Sequence, residues 1–233
     1  MGEPLNLTLF KNIFLIFTEL VKKSLVKEDL NELKLLVKSF FYFMKTMNET
    51  NKEHKMYMDE SHFATLGPIL KSVLDLVKEA KEETLKSINS KKAGHELDEE
   101  DMENIKEELA KVCAASTYVM EISGQSVLNF KEKVAPMVKD NLLNFFALNL
   151  NNYKMLSESE LLDATCFFCD FIEYSFNKDV AMVSELNNKF LEIFNNTTSM
   201  DVKQTLSYGM GVFAMHIPQA NYSEQLPKVF TVI

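Results

Sequence analysis

The chain has 233 residues, 46% of them hydrophobic and 25% charged, which is typical of a folded protein and argues against a disordered one. With 34 acidic and 25 basic residues its formal net charge is -9, which argues against general nucleic-acid binding, because that function needs a basic face. All of the basic residues are lysine, so the chain has no guanidinium group for a bidentate grip on phosphate. A basic protein is the partner that this charge favours.

Apolar residues recur at helical spacing along the whole chain, and no segment alternates with period two for long enough to predict a strand. The predicted fold class is therefore all-α. The apolar run near the amino terminus is interrupted by Lys11 and Asn12, so neither a signal peptide nor a membrane-inserted segment is expected. The predicted helices lie at about 5–24, 28–47, 60–88, 99–122, 125–149, 158–176, 179–195, 199–216 and from 222 to the end.

Two local features refine this assignment. Ser157 followed by Glu160 is a capping box, in which each side chain accepts a hydrogen bond from an otherwise unpaired backbone amide. Gly209 and Gly211 lie in the middle of a helical pattern, where each glycine costs about 1 kcal/mol relative to alanine. We expect both glycines to admit a neighbouring helix or a bulky side chain, with packing by Leu206, Val212, Phe213 and Met215 offsetting that cost.

Prolines followed by aliphatic residues recur at positions 68, 136 and 227, and the last two lie 91 residues apart. That distance is close to two units of about 45 residues, the length of a HEAT-type helical pair. The prediction is a single array over residues 1–233, a right-handed, armadillo-like α-solenoid, with an acidic insert at about 89–104. In this interpretation the helix at 199–216 is the first of its pair.

The segment Asp201-Val202-Lys203-Gln204, followed by Tyr208-Gly209-Met210-Gly211-Val212, resembles the HEAT signature. More closely, residues 200–233 are similar to a repeat late in karyopherin-β (importin-β) nuclear transport receptors of the importin-β3 type. The segments ESHFATLGPILKSVLDLV, KEKVAPMVKDNLL and ATCFFCDFIEYS follow the order of the same region. Lys203 stands where that motif usually has arginine. The resemblance covers most of residues 60–233 and implies a fragment of a longer receptor.

The resemblance implies a protein that acts by binding and not by catalysis. Its expected partners are basic cargo of the ribosomal-protein type, Ran-GTP and the Phe-Gly repeats of nucleoporins, and it would shuttle between cytoplasm and nucleus as a monomer. No catalytic residue, cofactor or metal is expected. The alternative is a HEAT scaffold subunit of a phosphatase or vesicle coat, which would have the same fold and no transport function.

Two charged surfaces are candidates for protein binding. The densest acidic run is a candidate for cargo or Ran, because concentrated charge steers association, although a solvated helix start would have the same composition. Its members are Glu96, Asp98, Glu99, Glu100, Asp101 and Glu103. The third helix turns a charged face outward, and the resemblance places this face on the concave side of the array. Its members are Asp75, Lys78, Glu79, Glu82 and Glu83.

Aromatic residues on two helices form a weaker candidate for a nucleoporin groove, although aromatic residues at helical spacing usually belong to a core. The candidates are Phe40, Phe41, Phe167 and Phe171. Cys166 and Cys169 have the spacing of a redox or zinc motif, but no second pair accompanies them. We interpret them as structural cysteines, at least one of which packs in the core.

Overall fold

The computed structural model describes residues 5–50, 60–91, 99–130, 133, 135–176 and 179–216, and everything below concerns those residues. Their fold is all-α, as predicted, and no β-strand occurs among them. The helices are α1 (Leu5–Val26), α2 (Leu30–Thr50), α3 (Glu60–Lys91), α4 (Glu99–Phe130), α5 (Ala135–Val138), α6 (Asn144–Asn151), α7 (Glu158–Phe171), α8 (Val180–Asn196) and α9 (Met200–His216).

Three short turns that are not α-helical adjoin these helices. A π-helical turn, Lys139–Leu143, joins α5 to α6, and a second one, Ile172–Phe176, follows α7. A 3-10 turn, Tyr153–Met155, lies between α6 and α7. A π turn takes up one residue more than an α turn, so it rotates the side chains that follow it relative to those before it.

Local sequence signals set several helix ends. The capping box at the start of α7 is confirmed, since the Ser157 amide donates to Glu160 Oε2 at 2.9 Å and the Glu160 amide donates to Ser157 Oγ at 3.3 Å. Asp179 caps α8 by accepting a hydrogen bond from the Met182 amide at 3.1 Å. These bonds satisfy amides that have no partner within the helix itself.

The predicted break between residues 122 and 125 is wrong, because α4 continues to Phe130. Ser123 and Ser126 are buried, and their hydroxyls donate to carbonyls one turn earlier in the same helix, at 2.6 and 2.7 Å. The buried side chain of Val127 extends the apolar face. Each serine hydroxyl therefore finds its hydrogen-bond acceptor within the helix, and neither serine ends the helix.

The helices form two layers. The first layer contains α1, α3, the helix formed by α5 and α6, and α8, whereas the second contains α2, α4, α7 and α9. Within the second layer, α2 packs on α4, α4 on α7, and α7 on α9. The helices also pack as α1–α2, α3–α4, α6–α7 and α8–α9 pairs. This packing agrees with a helical repeat, and it makes α9 the second helix of its pair, which corrects the prediction that it is the first.

One main hydrophobic core runs through both layers from Phe10 to Phe213. Aromatic rings hold the layers together at several points: Phe17 of α1 stacks on Phe40 of α2 at 4.0 Å between centroids, and Phe146 of α6 meets Phe167 of α7 at 4.5 Å. A smaller cluster of Ile88, Ile105 and Leu109 joins the end of α3 to the start of α4. Burial of each large apolar side chain contributes about 1.5–3 kcal/mol to folding.

The two glycines of α9 have different environments. Gly209 is buried, and a Cβ atom built on it would lie 2.5 Å from Phe190 Cε2 of α8 and 2.7 Å from Cys169 Sγ of α7. Gly211 is exposed, and a Cβ atom there would have no neighbour within 4 Å. The packing explanation is therefore confirmed for Gly209 and wrong for Gly211. Met215 is 70% exposed and does not contribute the expected packing.

Within the described ranges, no helix combines the length and the apolar character needed to cross a lipid bilayer.

Candidate binding surfaces

The structure describes only part of the predicted acidic surface. Glu96 and Asp98 lie outside the described residues, and of Glu99 only the helical backbone is described. Glu100 and Glu103 are exposed in the first turns of α4, whereas Asp101 is half-buried. The side chains that are described therefore lie at the amino-terminal end of a helix, where a carboxylate interacts favourably with the helix dipole.

The charged face of α3 has the predicted orientation. Its apolar side points into the core through the buried side chains of Ile69, Leu70, Val73, Leu74 and Val77. All five predicted surface residues, Asp75, Lys78, Glu79, Glu82 and Glu83, are exposed. Asp75 pairs with Lys71 at 2.5 Å, one turn away. Apart from Asp75, the predicted residues present three carboxylates and one ammonium group to solvent, and Lys86 of the same helix is exposed as well.

The predicted aromatic groove is wrong, because its four phenylalanine side chains are buried. Phe40 and Phe41 of α2 are 2% and 7% exposed, and Phe167 and Phe171 of α7 are 3% and 0% exposed. Phe167 stacks with Phe171 at 5.7 Å between centroids, and both belong to the main core. Because their rings fill the interior, these four residues do not offer a surface to a partner.

A cleft that sequence analysis missed lies between α4 and α7. Glu121 of α4 and Asp163, Cys166 and Asp170 of α7 line it, and Oδ2 of Asp163 is buried without a hydrogen-bond partner among the described residues. Burial raises the pKa of Asp163 to about 6, and the charges of Glu121 and Glu160 add to the rise, whereas a hydrogen bond to Thr117 opposes it.

The other two carboxyl groups of this cleft also have raised pKa values. Burial is the main cause that raises the pKa of Asp170 to about 6, and the charges of Glu173 and Glu121 raise it further. Burial also raises the pKa of Glu121, although the charge of Lys45 lowers it. The side chains at 163, 166 and 170 are spaced three and four residues apart, which is the signal in the sequence that places them on one face of α7.

The cysteines are not arranged for metal binding or nucleophilic chemistry. Cys113 and Cys169 are buried, in agreement with the core interpretation, whereas Cys166 is exposed. Burial raises the pKa of the Cys113 thiol to about 11. Cys166 is only partly covered by its neighbours, and this partial desolvation, followed by the charges of Asp170, Asp163 and Glu121, raises its pKa. A raised pKa disfavours the reactive thiolate. No group of three or more potential metal ligands occurs in the described part of the chain.

The carboxylate cleft is too small for a substrate. Its volume is about 40 Å³, close to the share of a single water molecule in the liquid and far below the roughly 300–1,000 Å³ of ligand sites. Its raised pKa values therefore follow from burying several acids together, and the Cys166 thiol that also lines it has a raised pKa as well.

A larger groove lies between α6 and α8 in the first layer and has a volume of about 660 Å³. Its floor and walls are mainly apolar, and its rim is charged. The apolar residues include Leu143, Ala147, Leu150, Phe168, Met182 and Leu186, and the charged ones are Asp179, Glu185, Lys189 and Glu192. Phe168 comes from α7, so the second layer forms the bottom of the groove.

No protein-family model matches this chain, and no curated protein has significant sequence similarity to it.

Proposed function

We propose that the chain is a protein-binding α-solenoid of stacked HEAT-type pairs, part of a karyopherin-β nuclear import receptor. The observation that carries the proposal is the order of packing, in which pairs that are consecutive in the chain are also neighbours in space. Arrays of this kind act through extended surfaces to which several consecutive helices contribute. The resemblance of residues 60–233 to the importin-β3 type adds the receptor class.

The surface charge supports basic cargo as the main partner. Besides the exposed acids of α3, the start of α4 exposes Glu100, Glu103, Glu107 and Glu108. A row of carboxylates increases the association rate of a lysine-rich partner, and salt weakens this effect. Basic cargo of the ribosomal-protein type and Ran-GTP would bind this face, and the receptor would shuttle between cytoplasm and nucleus.

The decisive experiment measures binding of the purified 233-residue chain to Ran loaded with a non-hydrolysable GTP analogue and, separately, with GDP. The receptor assignment predicts tighter binding of the GTP form and competition with a basic ribosomal protein. Equal or absent binding of both Ran forms would overturn it. A HEAT scaffold of the phosphatase or coat type would give this second result while retaining the fold.

A triple variant tests the cargo face directly. Replacing Glu79, Glu82 and Glu83 by lysine should slow association with the basic protein at low salt, while circular dichroism stays unchanged because all three side chains are exposed. The matched control is Glu19→Lys, Glu28→Lys, Asn12→Lys and Ser39→Lys on α1, α2 and the turn between them, all exposed positions, which changes the net charge equally. Equal slowing by both charge variants would contradict a localised cargo face.

A further inference from the structure

We infer that the polar pocket beside the connection from α8 to α9 binds a small phosphate monoester with a hydroxylated body, the chemical class of sugar and polyol phosphates. The pocket lies between α4, the 3-10 turn Tyr153–Met155 and the α8–α9 connection, and its volume is about 400 Å³. Ligand sites have volumes of about 300–1,000 Å³. This inference does not rest on the receptor function, because the pocket contains none of the residues on which that function was argued.

Two lysines make the pocket attractive to an anion. Lys106 of α4 is half-buried, Lys154 of the 3-10 turn is exposed, and both line the pocket. Neither has an ion-pair partner within the described ranges. Glu158 is the only carboxylate among the described lining residues, and its Oε1 atom already accepts a hydrogen bond from Ser199 Oγ at 2.5 Å. A phosphate monoester carries about −1.5 to −2 charges at pH 7, so two ammonium groups match one phosphate.

The start of α9 contributes to the same pocket. Thr197, Thr198 and Ser199, which precede the helix, and Val202 in its first turn all line the pocket. Ser199 Oγ accepts a hydrogen bond from the Val202 amide at 3.2 Å, whereas the other amides of the first turn have no acceptor within the helix. The positive end of the dipole of this 17-residue helix therefore adds to the attraction of the two lysines for a phosphate group.

Tyr153 provides independent evidence for a ligand. Its side chain lines the pocket and is only 7% exposed, and its hydroxyl oxygen is buried without a hydrogen-bond partner in the described part of the chain. Leaving a buried hydroxyl group unpaired is unfavourable, so such a group needs an explanation. A phosphate oxygen at the inner end of the pocket would accept the hydrogen bond that this hydroxyl can donate.

The remaining lining fits a hydroxylated molecule better than a nucleotide. The side-chain amide nitrogen of Asn196 donates to the Glu192 carbonyl at 2.7 Å, which leaves its Oδ1 atom to accept a hydrogen bond from a ligand hydroxyl. The exposed Thr198 side chain supplies a second hydroxyl-binding group. Tyr153 is the only aromatic residue among the described lining residues, and because it is buried it offers no ring face on which a base could stack.

The test is isothermal titration calorimetry of the full 233-residue chain at low ionic strength with glucose 6-phosphate, glycerol 3-phosphate, inorganic phosphate and glucose. At least one of the two esters should bind more tightly than inorganic phosphate, and glucose should not bind. Inorganic phosphate that binds as tightly as both esters would overturn the hydroxylated body, and failure of both esters to bind would overturn the site. A phosphoserine tripeptide that binds more tightly than either ester would replace the small molecule with a phosphopeptide.

Paired lysine variants localise the binding. Lys106→Met combined with Lys154→Met should weaken the affinity for the tighter ester about tenfold or more, because two charge-assisted hydrogen bonds are lost. The matched control is Lys23→Met combined with Lys34→Met on α1 and α2, which also removes one exposed and one half-buried lysine. The control should change the affinity less than about twofold. If the two double variants bind the ester alike, the pocket is not the site.

A single-atom change tests the buried end of the pocket. Tyr153→Phe should weaken ester binding about threefold to tenfold, because it removes only the hydroxyl group. The thermal unfolding midpoint of the ligand-free variant should be unchanged or higher, since the lost hydroxyl has no hydrogen-bond partner in the described part of the chain. Unchanged affinity of this variant for the ester would contradict the proposed position of the phosphate group.

Discussion

The two layers differ in how neighbouring helices meet. In the second layer α7 and α9 are so close that a single Cβ atom on Gly209 would lie 2.7 Å from Cys169 Sγ. In the first layer α6 and α8 are the walls of a groove of about 660 Å³. Since Phe168 of α7 forms the floor of that groove, the closed layer supports the open one. The comparison shows that one layer of a helical array can pack closely while the other leaves a groove between neighbouring helices.

The largest effect is expected from breaking the contact between the layers. Phe167 is 3% exposed and packs on Phe146, so Phe167→Ala should lower the free energy of unfolding by about 3–5 kcal/mol. Met182→Ala on the half-buried wall of the groove should cost clearly less. Urea unfolding of both variants measures the difference, and equal losses would show that the groove wall is packed as tightly as the core.

A smaller loss tests the close contact within the second layer. Gly209→Ala should reduce stability by about 1–2 kcal/mol, since overpacking costs about 1–3 kcal/mol and the better helix propensity of alanine returns part of it. Phe190 and Cys169 are both buried, so a shift of either side chain would disturb the core packing around it. Combining the change with Phe190→Leu should give less than the sum of the two single losses. Additive losses would place Gly209 away from Phe190.

The carboxylate cleft should make stability depend on pH. The pKa of Asp163 is about 6 in the folded chain and 3.8 as its ordinary value, so its stabilising contribution is complete below about pH 4 and is lost as the pH rises through about 6. Asp163→Asn should therefore stabilise the protein at pH 7.5, on the order of 1 kcal/mol once solvent screening of this half-exposed group is included.

The check is the midpoint of thermal unfolding of wild type and Asp163→Asn between pH 4.5 and 7.5. The two curves should converge at low pH, where the wild-type carboxyl is protonated, and diverge as the pH rises. A constant difference at all pH values would mean that the substitution acts through packing or through its contact with Thr117.

The smallest effect is expected at the exposed end of α9. Gly211→Ala should stabilise the protein by about 0.4–1 kcal/mol, because the new Cβ atom has no neighbour within 4 Å and alanine favours the helix. It is the matched control for Gly209→Ala, two residues away in the same helix. A loss of stability in both variants would contradict the open environment of Gly211.

The helices were largely predictable from sequence, whereas their contacts were not. Periodicity placed α1, α2, α3, α7, α8 and α9 within a few residues of their observed bounds. It failed between residues 122 and 125, where it predicted a break although buried hydroxyls of Ser123 and Ser126 bond within α4. It also could not distinguish Gly209 from Gly211, since only tertiary packing decides which glycine meets a neighbouring helix.

For the candidate sites as well, features within one helix were predictable from sequence and features between helices were not. The exposed face of α3 was predictable because its apolar positions are regular, and the aromatic residues of α2 and α7 were wrongly offered as a groove although their spacing equally fits a core. The groove between α6 and α8 was not predictable. Its residues belong to helices whose separation is set by packing on α7 and α9, and no motif in the sequence specifies that distance.

The two π-helical turns have a consequence for comparing this chain with other helical arrays. Each one, Lys139–Leu143 and Ile172–Phe176, holds one residue more than an α-helical turn. An alignment with a regular helix therefore needs a one-residue gap inside each segment, where gaps are normally penalised most heavily. Without those gaps, each residue after Leu143 is matched with a position about 100° away around its helix, so buried and exposed residues are compared as equivalents.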